Sequence, residues 1–114
     1  MAIKQGEIWL VNFAPQIGTK ITKIRPALVV SSDIFSAMPR RMVVPLRERK
    51  PFHEEISLFV ALQPTTENGL TKESSADCSQ AKTFDRQRFV KKLGALSADE
   101  LETIIAGIQT YLGK

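Results

Sequence analysis

Apolar residues are grouped into short runs along the first half of the chain, and these runs predict β-strands. The four predicted strands cover residues 7–13, 27–31, 42–46 and 56–62. Pro45 predicts an edge or bulge position for the third strand, because proline cannot donate a ladder hydrogen bond. Ser32 or Asp33 is expected to cap a short helical turn that follows the second strand.

The end of the chain has the clearest helical pattern. Ser97 and Glu100 form a capping box, in which each side chain accepts a hydrogen bond from a first-turn amide. Five apolar residues then recur at helical spacing on one face, namely Leu101, Ile104, Ile105, Ile108 and Leu112. Gly113 is expected to end the helix. Between residues 75 and 96 we expect one or two short strands around a turn at Asp85–Arg86.

These elements predict one domain over residues 1–114, of class α+β and mainly β, with an antiparallel sheet and a C-terminal amphipathic helix. The single cysteine excludes an intrachain disulfide, and a reducing cytoplasm is the expected location. We identify no secretory signal, and no apolar run approaches the roughly 20 residues of a membrane span. No cofactor is expected.

The whole chain has a net charge of +4, and its positive charge is concentrated in one part of the sequence. Residues 15–50 contain eight lysines and arginines and only two acidic residues, Asp33 and Glu48. This asymmetry indicates a polyanion or an acidic partner, and a solvated basic face that binds nothing is the alternative.

The residue inventory excludes several chemistries. One histidine and one cysteine cannot assemble a His/Cys zinc site, so no metal site is predicted. His53 lies in a polar segment and is expected to be a solvent-exposed loop residue. RNA cleavage without metal remains possible, because a 2′-hydroxyl can attack its neighbouring phosphate while a guanidinium stabilises the charge. Arg25 is the best candidate, since Pro26 stiffens its backbone; a surface salt bridge is the alternative role.

A series of segments resembles the MazF/PemK toxins and covers nearly the whole chain in the right order. The segments are Gly6–Pro15, Arg25–Ser31, Val43–Leu46, Asn68–Ser74, Gln80–Arg88 and Lys92–Ser97. The resemblance implies a small SH3-like antiparallel β barrel and a homodimer that cleaves single-stranded RNA at short sequences without metal. It also implies an antitoxin partner, whose acidic segment we expect in the basic groove that binds RNA. Arg25 matches the catalytic arginine of the family.

Three positions depart from the family pattern. Arg47 stands where the family usually has a threonine or serine beside the catalytic arginine, Lys20 replaces an acidic loop residue, and Lys82 replaces an arginine before Thr83. We therefore predict Arg25 and Arg47 as catalytic residues. The predicted RNA-binding residues are Lys20, Lys23, Lys82 and Thr83. Whether Ser31 or Thr83 supplies the missing hydroxyl stays open, as do a slow or inactive binding module and a CcdB-like gyrase poison.

Overall fold

The computed structural model describes residues 2–15 and 23–114. It contains seven strands and one α-helix, which are β1 (Glu7–Asn12), β2 (Ile24–Val29), β3 (Arg40–Glu48), β4 (Phe59–Leu62), β5 (Ser74–Asp77), β6 (Lys82–Asp85), β7 (Phe89–Ala95) and α1 (Ala98–Tyr111). Short 3-10 turns cover Asp33–Phe35, Pro51–Glu55, Cys78–Gln80 and Arg86–Arg88. The first four strands begin and end within three residues of the predicted bounds, and the turn after β6 lies at the predicted Asp85–Arg86. The region 75–96 was predicted to hold one or two strands and instead contributes to three, β5, β6 and β7.

All strand pairs are antiparallel, in the order β4-β5-β3-β2-β1-β7. The long strand β3 has two partners on one side, since β6 pairs its first half and β5 pairs its second half. Among the described residues no ladder joins β4 to β7, so the sheet is barrel-like without closing. The predicted fold class is confirmed.

Each face of the sheet has its own apolar core, because successive side chains of a strand point to opposite faces. Ile8, Leu28 and Val44 belong to the core that α1 covers through Leu101, Ile104 and Ile108. The second core includes buried side chains of both the strands and the N-terminal segment, namely Ile3, Trp9, Val11, Ala27, Val29, Val43 and Phe89. The candidate site described below continues this second face.

The C-terminal helix forms as its sequence predicts. The Ser97 hydroxyl accepts from the Glu100 amide at 3.2 Å, and the Glu100 carboxylate accepts from the Ser97 amide at 3.4 Å. Gly113 follows the helix with a φ of +83°, a conformation that favours glycine. Leu112 was expected on the packed face but is exposed, because the helix ends at Tyr111. No helix in the described part of the chain is long and apolar enough to cross a bilayer.

Pro45 was predicted to occupy an edge or bulge position, and the edge-strand alternative is wrong, because β3 is flanked on both sides. The amide of Val30 donates to the carbonyl of Met42, and Pro45 lies opposite Ala27 three residues further along. Hydrogen-bonded and non-bonded pairs alternate along an antiparallel ladder, so the nitrogen of Pro45 points away from β2. It points to the gap between the last β6 pair, at Val43, and the first β5 pair, at Leu46. The missing amide hydrogen therefore costs no ladder bond.

The prediction that His53 is a solvent-exposed loop residue is also wrong. His53 lies in the turn Pro51–Glu55 and is 0% exposed. Its ring packs edge-on against Phe52 and Phe59, with ring centroids 4.5 Å apart in each case. Local polarity indicated exposure, whereas the contact with Phe59 of β4 buries the ring.

Candidate functional site

A cleft of about 310 Å³ opens on the second face of the sheet, where β3 passes from β6 to β5. This volume lies at the small end of ligand pockets. Nine of the described residues line the cleft, namely Phe13, Lys23, Arg25, Pro45, Leu46, Arg47, Asp77, Gln80 and Lys82. Four of them are cationic and one is a carboxylate, so the cleft favours an anion.

Backbone hydrogen bonds hold one wall of the cleft beside β1. The Phe13 amide donates to the Lys23 carbonyl at 2.8 Å. The Asn12 side-chain oxygen accepts from the amides of Ala14 and Lys23 at 3.0 and 3.2 Å. These bonds place Lys23 at the start of β2, where Arg25 lies opposite Val11 of β1.

Arg25 and Arg47 share one face of the sheet. Ala27 of β2 is paired with Pro45 of β3. Arg25 and Arg47 each lie two residues from this pair in the same direction, so their side chains are on the same face of the sheet. Both side chains are exposed, and neither forms an ion pair or a hydrogen bond with a described residue. The surface salt bridge considered for Arg25 is therefore not formed within the described residues.

The structure brings some of the predicted RNA-binding residues together and separates others. Lys82 pairs with Val43 and so shares the face of Arg47, and it lines the cleft with Lys23. Thr83 pairs with Met42, which places it on the opposite face of β6. Lys20 lies outside the described residues.

Ser31 has a structural role at the far end of the sheet. Its hydroxyl oxygen accepts from Arg41 Nε at 2.9 Å and from the Met42 amide at 3.1 Å. Ser31 lies six positions after Arg25, or about 20 Å at the usual rise of an extended chain. Arg41 itself is buried, so the basic segment over 15–50 does not form one continuous surface.

A series of hydrogen bonds joins Arg49, Ser75 and His53 next to Arg47, which pairs with Ser75. Arg49 donates to the Ser75 hydroxyl at 3.0 Å, and that hydroxyl donates to His53 Nδ1 at 2.9 Å. The Lys50 amide also donates to Nδ1, at 3.1 Å, so this nitrogen is an acceptor and the ring proton is on Nε2. Nε2 has no partner among the described residues. Burial and the charges of Arg47, Arg49 and Lys50 hold the pKa of His53 below its ordinary value, against a smaller opposing effect of Asp77.

Five of the described lining residues were not predicted as site residues from the sequence, namely Phe13, Pro45, Leu46, Asp77 and Gln80. Phe13 packs edge-on against Phe84 at a centroid distance of 5.0 Å and forms an apolar wall. Gln80 lies within one of the segments that resemble the toxins, so that segment already drew attention to it. Asp77 reaches the cleft only through the pairing of β5 with β3, which no local pattern reveals.

The amino-acid sequence matches the model of one protein family over residues 4–112, described as PemK-like, MazF-like toxin of type II toxin-antitoxin system. The chain is 28% identical to endoribonuclease MazF9 of Mycobacterium tuberculosis, over 96% of each chain. Its fold resembles the crystal structure of MazF from Deinococcus radiodurans, with a TM-score of 0.79, 22% identity, and coverage of 100% of this chain and 99% of that one. It also resembles an endoribonuclease from a Mycobacterial species in complex with its cognate antitoxin, with a TM-score of 0.74, 19% identity, and coverage of 98% and 96%.

The family match spans almost the whole chain and agrees with the fold. The cationic cleft also contains Arg25, Arg47 and Lys82, each of which lies in or next to a segment that carried the resemblance. The chain belongs to the PemK-like, MazF-like toxins of type II toxin–antitoxin systems.

Proposed function

We propose that this toxin is a metal-independent endoribonuclease that cleaves single-stranded RNA at specific short sequences. One observation carries the proposal: Arg25 and Arg47 share one face of a cationic cleft and have no ion-pair partner among the described residues. Guanidinium groups donate paired hydrogen bonds to phosphate oxygens. A cleft with two such groups fits a phosphodiester whose negative charge increases during the reaction.

The reaction needs no metal if the RNA supplies its own nucleophile. The 2′-hydroxyl oxygen attacks the adjacent phosphorus, the bond from phosphorus to the 5′-oxygen breaks, and a 2′,3′-cyclic phosphate and a 5′-hydroxyl result. Alignment of the attacking and leaving oxygens is the main requirement. Lys23 and Lys82 line the same cleft and are placed to bind flanking phosphates. Thr83 and Lys20 remain candidate RNA contacts.

The test is to replace Arg25 by alanine and measure single-turnover cleavage of a long RNA in EDTA. Loss of one donor to the transition state should lower the rate by about a hundredfold or more. The free energy of unfolding should change by no more than about 0.5 kcal/mol, because Arg25 is exposed. Arg40→Ala is the matched control, since Arg40 is exposed at the other end of β3 and outside the cleft. Equal cleavage by both variants would exclude Arg25 as the key residue, and no discrete cuts by the wild type would exclude the activity.

The same cleft fits the acidic segment of an antitoxin, since charge complementarity favours an anionic peptide as well as RNA. We propose that a cognate antitoxin and RNA compete for it, that the toxin acts as a homodimer, and that it works in the cytoplasm. In the part of the chain that the structure describes, the terminal strands β4 and β7 each have an edge without a paired strand, which a second copy can cover. Simultaneous, independent binding of antitoxin and RNA would refute the shared cleft. Sedimentation that gives only the 12.7 kDa monomer would refute the dimer.

A further inference from the structure

Asp77 is the one carboxylate among the described residues that line the cleft. It ends β5 and is 5% exposed. Ser75 pairs with Arg47, and Asp77 lies two residues further along the same strand. Because side chains alternate along a strand, Asp77 and Arg47 point to the same face of the sheet.

Only one of the two carboxylate oxygens of Asp77 has a structural task. Oδ1 accepts from the Ser79 amide at 3.1 Å and from the Ser79 hydroxyl at 2.6 Å, which caps the turn Cys78–Gln80. Oδ2 accepts no hydrogen bond from a described residue, and no described cation lies within ion-pair distance. An asparagine caps a turn as well as an aspartate does, so the cap alone does not need the negative charge.

The charge also has an unusual position for a site that binds phosphate. A carboxylate repels an anionic ligand, and a buried carboxylate without an ion pair is costly. A carboxylate placed beside two guanidinium groups is therefore better explained by a chemical role in the reaction of the RNA than by a contribution to binding affinity. A proton acceptor is what the 2′-hydroxyl of an RNA needs before it attacks.

The sheet geometry leaves room for one nucleotide between these groups. Arg25 and Asp77 are two strands apart and about two residues apart along the strand direction. At the usual spacings of a sheet this separates their backbones by roughly 12 Å. The long Arg25 side chain and the shorter Asp77 side chain can then contact a phosphate and the neighbouring 2′-hydroxyl from opposite sides.

We propose that Asp77 is the general base of the cleavage reaction, an inference that rests on the proposed endoribonuclease function. Asp77 Oδ2 takes the proton of the 2′-hydroxyl as the 2′-oxygen forms its bond to phosphorus. The bond from phosphorus to the 5′-oxygen breaks, and the leaving oxygen takes a proton from solvent water. Asp77 then returns its proton to solvent, and Arg25 and Arg47 stabilise the charge on the phosphate throughout.

The test compares Asp77→Asn with Asp85→Asn in single-turnover cleavage and in binding of RNA with a 2′-deoxy scissile nucleotide. Asp85 is a matched control, because its side chain caps the turn Arg86–Arg88 by accepting from the Gln87 amide at 3.0 Å, outside the cleft. Asp77→Asn should lower the cleavage rate by about 10²–10⁴-fold. Binding of the uncleavable RNA should stay equal or become tighter, since a repulsive charge is removed, and Asp85→Asn should behave as the wild type.

The pH dependence separates a general base from a structural group. Wild-type cleavage should reach a plateau as pH rises, whereas residual cleavage by Asp77→Asn should rise about tenfold per pH unit because hydroxide replaces the base. Wild-type-like cleavage by a folded Asp77→Asn would overturn the inference. An undiminished rate with cuts at different RNA sequences would also overturn it, because Asp77 would then recognise a nucleobase rather than accept a proton. If Asp77→Asn does not fold, a wild-type rate that rises tenfold per unit from pH 5 to 9 would overturn it. Absence of wild-type cleavage at every pH would instead overturn the proposed function.

Discussion

Arg41 offers the sharpest test of how this fold is held together, because its neighbour Arg40 is the natural control. Arg41 is 2% exposed, and its guanidinium donates four hydrogen bonds. Nε donates to the Ser31 hydroxyl at 2.9 Å, Nη1 to the Ile3 carbonyl, and Nη2 to the Ser31 carbonyl at 2.7 Å and to Asp33 Oδ1 at 3.2 Å. The group joins the N-terminal segment, the end of β2 and the start of β3.

The cost of Arg41→Ala follows from these contacts. The ion pair itself contributes little, about 0–1 kcal/mol, because the Asp33 side chain is 53% exposed. The larger loss comes from the carbonyls of Ile3 and Ser31, which lose a charged donor, and from the cavity that the side chain leaves. Together, the two unsatisfied carbonyls and the cavity should lower the free energy of unfolding by about 3–5 kcal/mol. That is a large share of the roughly 5–15 kcal/mol typical of a folded domain.

The assay is urea unfolding at one fixed protein concentration, followed by fluorescence of Trp9. At a slope of about 1–3 kcal/mol per molar urea, the midpoint for Arg41→Ala should fall by at least about 1 M with little change in slope. Arg40→Ala should shift the midpoint only slightly, since that side chain is exposed and has no partner among the described residues. Equal midpoints for the two variants would refute the structural role of Arg41.

Two further predictions concern the cleft and the residues behind it. If Arg47 binds a phosphate beside Arg25, Arg47→Thr should weaken RNA binding and lower its salt dependence by about one phosphate contact. The cleavage rate should then fall or stay low. Faster cleavage in single-turnover assays would instead show that Arg47 occupies the place of a lost catalytic group. The melting temperature of the wild type should fall between pH 7.5 and 5.5, because the pKa of His53 is lower in the folded chain than its ordinary 6.5 and acid therefore favours the unfolded state. His53→Phe, which keeps a ring between Phe52 and Phe59, should flatten that dependence, and an equally acid-sensitive variant would contradict the assignment.

The elements that depend on neighbours in sequence were predictable from the sequence. The capping box at Ser97 and Glu100 and the turn at Asp85–Arg86 depend on contacts within three residues, so their chemistry can be read locally. The pattern of elements indicated the fold class and the resemblance indicated the family, both now confirmed. Arg25 was predicted from its position before Pro26 and Arg47 from the resemblance, and their catalytic roles remain predictions.

Tertiary structure alone decided which residues meet. Strand register gives Arg25, Arg47 and Asp77 a common face, and register depends on pairing between segments up to about thirty residues apart. Pro45 lies in a flanked strand because β5 and β6 leave a gap at its nitrogen, and His53 is buried because β4 brings Phe59 against it. A polar or proline-containing segment has the same local pattern whether or not a distant strand covers it, so burial and the composition of the cleft follow only from the assembled sheet.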